Sequence, residues 1–293
     1  MDEPDIDAAG AFLAANARVL ERRRFERLFA GGGPGPVRDA VAAYRNPDGG
    51  FGHALEPDGR GPGSQPLAVE FALRVLHEAD AWDDGLAGDA CGWLAAHEPA
   101  GGGVVFVDPS VQGWPHAPWW VPEDGAPASL ITTGLIAATL HARGASHPWL
   151  DRATALLWSK IGALASVGTL ASAGPYDMRA LLRFLDHVPD QDRAREAVAR
   201  LRPVIEGKDL VTLEPGAPGE VHTPLDFAPQ PGTPARDLFG EDVIAAHLDH
   251  LAAAQRDDGG WMFNWLAWSP AAEREWRGAI TVDTLHLLHA NGR

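Results

Sequence analysis

The chain is short of several things, and each shortage excludes something. One cysteine in 293 residues rules out an intramolecular disulfide and any thiolate zinc cluster. Basic residues are too few: 24 Lys and Arg against 40 Asp and Glu leave a net charge of −16, which argues against a nucleic-acid partner. No apolar run reaches the roughly 18 residues that a membrane-spanning helix needs. The N-terminal Met1-Asp2-Glu3-Pro4-Asp5 is acidic and has no hydrophobic segment behind it, so no signal peptide is expected. A cytoplasmic, soluble protein is the expectation. Strand signals are almost missing too: Val104-Val105-Phe106-Val107 is the one β-like run, and it lies inside a loop.

What remains is helical, and it repeats. Val243, Ile244, His247, Leu248 and Leu251 fall on one helix face, followed by Gln255-Arg256-Asp257-Asp258-Gly259-Gly260-Trp261. A loop, then Trp276-Arg277-Gly278, then a helix carrying Ile280, Thr284, Leu285 and Leu288 complete the unit. Upstream, Tyr44-Arg45-Asn46-Pro47-Asp48-Gly49-Gly50-Phe51 also follows an apolar helix and precedes another over 67–77. A weaker copy, ending in Ala100-Gly101-Gly102, precedes the loop to Ser129. Asp48 and Ala100 are 52 residues apart, and Asp48 and Asp258 are 210 apart, close to four such steps. The third and fourth turns are expected near 168–174 and at Gly207. In each turn a glycine ends the helix at positive φ, the aspartate bonds the turn's own backbone, and the aromatic packs back. Gln255 is read as a cap for a neighbouring helix end. These residues are therefore read as structural.

The helices sort into two kinds. Residues 192–205 are amphipathic, which suits an outer position, whereas 129–140 are apolar or small all round, which suits an inner one. Stretches 67–76 and 178–185 fit inner positions, and a single N-terminal helix is expected over about 8–29. The Pro-rich stretch 207–239 offers no inner helix. The expectation is one all-α domain spanning 1–293, an (α/α) toroid of about five to six helical hairpins.

At the C-terminal copy, Leu251-xxx-Gln255-xx-Asp258-Gly259-Gly260-Trp261 resembles the QW repeat of squalene-hopene and oxidosqualene cyclases. The same repeat type occurs in the β subunits of protein prenyltransferases. The resemblance implies paired inner and outer helical rings around a cavity for a hydrophobic, isoprenoid small molecule, and acid-initiated cyclisation or isomerisation. The chain departs from both families in its chemistry. It lacks the Asp-x-Asp-Asp acid motif of the cyclases and the Asp-Asp-xx-Asp metal motif of ionising terpene synthases. Asp89-Ala90-Cys91 resembles the prenyltransferase zinc pair, but Arg277-Gly278-Ala279-Ile280 stands where the matching histidine belongs. Cys91 is read as a small buried residue; no metal and no cofactor are expected.

Function is expected in three long loops that follow outer helices and so gather at one mouth. They carry His53, Glu56 and Asp58; Trp114, His116, Trp119 and Trp120; and His222 and Asp226. Trp265, in the last loop, joins them. The tryptophans are expected to face inward, where they can stabilise a carbocation, stack on sugars or simply fill space. Asp58, Asp226 and Asp177 (at an inner-helix start, where an Asp also caps) are the candidate catalytic acids. Two alternatives stay open: a carbohydrate-active α/α-toroid enzyme such as an epimerase, glycosidase or lyase, and a non-catalytic scaffold for a hydrophobic ligand or a partner.

Overall fold

A computed structural model describes residues 3–164, 173–207 and 209–293. It is all-α: α1 (Ile6–Asn16), α2 (Val19–Phe29), α3 (Gly35–Ala42), α4 (Pro66–Glu78), α5 (Asp84–Ala96), α6 (Leu130–Ala142), α7 (Pro148–Leu164), α8 (Pro175–His187), α9 (Gln191–Gly207), α10 (Pro224–Phe227), α11 (Glu241–Ala253) and α12 (Pro270–Ala290). No strand forms among the described residues; two isolated antiparallel bridges, Arg45 with Phe51 and Gly59 with His116, are the only β contacts there.

Local chemistry explains most helix starts. Asp5, Asp83, Ser129 and Ser269 accept the N–H three residues on, at the starts of α1, α5, α6 and α12. Proline occupies the first turn of α4, α8 and α12, where its missing N–H costs nothing. Two expected boundaries are corrected. The N-terminal segment is two helices, because Ala17 and Arg18 are extended. That break lets the Arg18 guanidinium reach the carbonyls of Ala54 and Leu55 at 2.9 and 3.0 Å, a tertiary demand that local periodicity does not carry. The last helix begins at Pro270, so Trp276, Arg277 and Gly278 lie inside it rather than ahead of it. Ser269-Pro270, a capping serine followed by proline, is the local signal for that start.

The repeat shows in the turns. Asp48 Oδ1 accepts from Gly50 N at 2.9 Å and Asn46 N donates to Gly50 O; Asp258 Oδ1 accepts from Gly260 N at 3.1 Å and Arg256 N donates to Gly260 O. Gly49 and Gly259 both have φ near +90°, and a Cβ on either would strike backbone, Asp89 O at 2.7 Å or Ala8 O at 2.2 Å. Only glycine serves there. The turn after α3 thus seats on α5, and the turn after α11 seats on α1. Gln255 ties the second seat: its Oε1 accepts from Asp5 N at 2.7 Å and its Nε2 donates to Asp5 O and Gly259 O. Trp261 is buried and donates from Nε1 to Leu251 O at 2.8 Å, packing back on α11 as expected.

Packing passes from α4 to α6 to α8, with α5, α7 and α9 in contact outside them. At the chain ends, α12 packs on α1, α2 and α11. The main core, including Val69, Leu73, Ile136, Leu140, Leu181 and Phe184, fills the space between these layers. Among its described residues beyond α9, segment 207–239 holds only the four-residue α10 and a 3-10 turn over Pro234–Leu238, in keeping with its proline content. Of the two central turns, 165–172 lies outside the described residues, and α9 ends at Gly207. No helix among the described residues is long and apolar enough to cross a membrane.

Candidate functional site

The N-terminal ends of α4, α6 and α12 meet the long loops, and the loop over 52–60 is the hub. His53 and Ala54 both have positive φ (56° and 61°), a costly conformation for residues with a Cβ. The surroundings over-determine it: Arg18 holds two carbonyls of the loop, His53 N donates to Gly61 O, and His53 Nε2 meets Asn46 Oδ1 at 2.9 Å. Beyond that bend, Glu56 turns inward and is buried. Its Oε2 accepts from Asp58 N at 2.8 Å. Burial pushes the Glu56 carboxyl well above the usual range, and the neighbouring Asp58 charge pushes it further. A cavity of about 10 Å³, room for a single water, lies between Glu56, Gln65, Ser110 and Trp120.

Asp58 is buried too, yet differently partnered. Trp276 Nε1 donates to Oδ1 at 2.8 Å and Trp119 Nε1 to Oδ2 at 2.9 Å. Burial raises its pKa, and the indole N–H groups oppose that by favouring the anion. Trp268 acts in the same direction, although its Nε1 lies outside hydrogen-bond geometry and is otherwise an unpartnered buried donor. Ala117 N donates to Asp58 O, Arg60 N to Pro115 O, and Arg60 pairs with Glu275 of α12 at 2.5 Å. Burial raises both adjacent carboxyls, Glu56 the further, while the indole N–H groups oppose the rise at Asp58 alone.

Loops one and two therefore meet as expected, and His116 bridges to Gly59 while its Nδ1 contacts Trp114 O at 2.7 Å. The inward-facing expectation fails for two tryptophans. Trp114 is 48% exposed and Trp119 40%, whereas Trp120 is buried. Trp265 packs edge-on against Trp276 at 5.3 Å and on Phe263 at 4.6 Å.

The third loop joins through Asn264, which donates to Val221 O at 3.2 Å. There His222 sits edge-on to Tyr176 at 4.5 Å, and the Tyr176 hydroxyl donates to Glu220 at 2.5 Å. Burial, then Glu220, pushes the Tyr176 phenol up. Asp226 accepts from Thr223 N and Oγ1, and Asp177 accepts from Gly174 N at 3.1 Å, so both carboxylates are engaged in capping their own helices.

Charges of α2, α4 and α12 that helix periodicity does not single out come together in the structure. Arg24 is 0% exposed and reaches Glu78 at 3.0 Å and Asp283 at 2.5 Å; Arg74 joins Glu78 and Asp283 at 3.3 Å and Glu70 at 3.2 Å. Burial raises Glu70, with Arg74 opposing it; burial also pulls Asp283 up, but Arg74 and Arg24 outweigh it and hold it low. The available signal was Glu70-Arg74-Glu78, charges at i, i+4, i+8 in a helix otherwise apolar.

No protein-family model matches this chain, and no curated protein matches it. A solved structure, a protein from Actinoplanes, has a similar fold: TM-score 0.58 over 98% of this chain and 89% of that one, at 15% identity. That likeness concerns the fold alone.

Proposed function

We propose that this chain is an acid–base enzyme for a polar, sugar-class small molecule, built on a closed toroid of helical hairpins. Closure is supported by the turn after α11, which seats on α1 as the turn after α3 seats on α5. The observation that carries the reaction type is the Glu56–Asp58 pair. Glu56, kept neutral by burial, is the proton donor; Asp58, fixed by two indoles, is the anionic partner that stabilises positive charge or takes the proton back. Substrate polarity follows from the inward face. A hydrocarbon placed against Arg24, Glu70, Arg74, Glu78 and Asp283 would strip water from ionised groups without replacing its hydrogen bonds. A hydroxylated substrate replaces them, and exposed Trp114 and Trp119 offer faces for a sugar ring.

A second reading, the isoprenoid cyclase or isomerase that the QW-like motif implies, is favoured by the aromatic contact of Phe263, Trp265 and Trp276. One experiment separates them. Wild type, Glu56→Gln and Asp58→Asn are incubated with a panel of neutral and acidic oligosaccharides, products are followed by mass spectrometry, and farnesol-like alcohols are titrated by calorimetry. Turnover of an oligosaccharide that falls at least about a hundredfold in Glu56→Gln supports the reading. Turnover undiminished in both variants overturns it, and tight farnesol binding that sugars do not displace moves the assignment to the isoprenoid class.

A further inference from the structure

Most inward-facing arginines of this acidic chain are paired: Arg18 with Glu21, Arg24 with Glu78 and Asp283, Arg74 with Glu70 and Glu78. Arg179 and Arg183 are not. Neither has a carboxylate oxygen within 4.0 Å among the described residues, and neither donates a side-chain hydrogen bond or lies over an aromatic ring there. They stand one turn apart on α8, so their guanidinium groups share one face. Arg179 acts electrostatically on Glu70 across on α4 and on Tyr176 and His222 beside it; Arg183 is acted on by Asp186, then Glu78 and Asp226. The pair thus lies within electrostatic reach of α4 and the third loop. Both are half-buried.

Two like charges at i, i+4, drawn partly out of water, are costly for a fold to keep. Arg179 Nε is buried with no acceptor, and burial followed by the Arg179 charge lowers Arg183 to about 10. Asp186, Glu78 and Asp226 oppose that lowering from a distance, but no carboxylate of the described residues comes within 4.0 Å of either guanidinium. A guanidinium fork matches the two oxygens of a carboxylate or phosphate, and two forks one turn apart converge on a single such group. We infer that Arg179 and Arg183 bind the oxyanion, carboxylate or phosphate, of a small-molecule ligand. The inference deepens the functional reading above and rests on it for the ligand's sugar class: the substrate is an acidic sugar derivative, anchored at α8 with its reacting end toward Glu56 and Asp58. The third loop meets the last loop through the Asn264–Val221 contact.

The test uses the full chain and measures binding without turnover. Inorganic phosphate, D-glucuronate and, as a neutral control, glucose are titrated by calorimetry into wild type, Arg179→Gln, Arg183→Gln and the double variant. Phosphate or glucuronate binds wild type, glucose much more weakly, and each single change weakens anion binding about tenfold or more, the loss expected for a charge-assisted hydrogen bond. Which anion binds distinguishes the two sources. Phenylglyoxal labelling of wild type, read by peptide mass spectrometry, covers the case of a variant that does not fold: the bound anion shields Arg179 and Arg183. No binding of either anion to wild type at millimolar concentration overturns the inference, as does undiminished binding in a folded double variant or labelling that the anion leaves unchanged. Anion binding can hold while the acid–base reading fails, and the reverse, so the two are judged apart.

Discussion

Asp186 ties the end of α8 to the 3-10 turn of the Pro-rich segment, and its ionisation sets a measurable pH dependence of stability. Its Oδ1 accepts from Ala235 N at 2.8 Å, whereas Oδ2 is buried with no partner. Burial pushes the carboxyl from 3.8 up to about 6, with the Ala235 N–H and Arg183 only partly opposing. A carboxyl whose pKa is higher in the folded state binds its proton more tightly there. Its contribution is therefore fully present below the unfolded value near 4 and is lost as pH rises through about 6. Two units at about 1.4 kcal/mol each give a loss of about 3 kcal/mol between pH 4 and pH 7. Asp186→Asn keeps an acceptor for Ala235 and has nothing to ionise. Urea unfolding of both proteins at several pH values isolates the term: the stability difference, variant minus wild type, should rise by about 3 kcal/mol across that window. The absolute level of the variant is irrelevant, because any cost of housing the amide is the same at each pH. Parallel stability curves would show that Asp186 titrates like an exposed carboxylate, and the reasoning from its burial would be wrong.

Trp261→Ala should cost about 3 kcal/mol or more in thermal or urea unfolding, the range for deleting a buried aromatic, here with its Leu251 bond; unchanged stability with lost activity would make the turn functional instead. Gln255→Ala should destabilise by about 1 to 2 kcal/mol and loosen the α1 end, seen as faster amide exchange at Asp5 to Ala9, while exchange elsewhere in the core holds. Gly259→Ala meets both a positive φ and the Ala8 carbonyl, and should lower stability more than Gly207→Ala, which has open space. Asp58→Asn keeps an acceptor for one indole but turns an N–H toward the other, so Trp119 or Trp276 fluorescence should shift; an identical emission spectrum would argue against the double clamp.

Much of this architecture was legible along the chain, because helix-forming signals are local. Helix periodicity placed α4, α6, α8 and α9 within two or three residues, and Asp-Gly-Gly followed by an aromatic marked the α3 and α11 turns, since a glycine at positive φ and an aspartate bonding its own backbone act over four residues. Lack of an inner helix in 207–239 followed from its prolines. The meeting of the first two loops was also foreseen, from the chain direction repeating with each hairpin. What the tertiary structure decided acts at long range in sequence. The α1–α2 break exists to bring Arg18 to a loop 36 residues away, and the Asp58 clamp draws its indoles from 61 and 218 residues away. Burial likewise raised the Glu56 carboxyl while leaving Asp177 and Asp226 as helix caps, although in the sequence all are simply acids near glycine or proline. A residue's type states which protons it can hold; only the surroundings that folding assembles determine which of them it keeps.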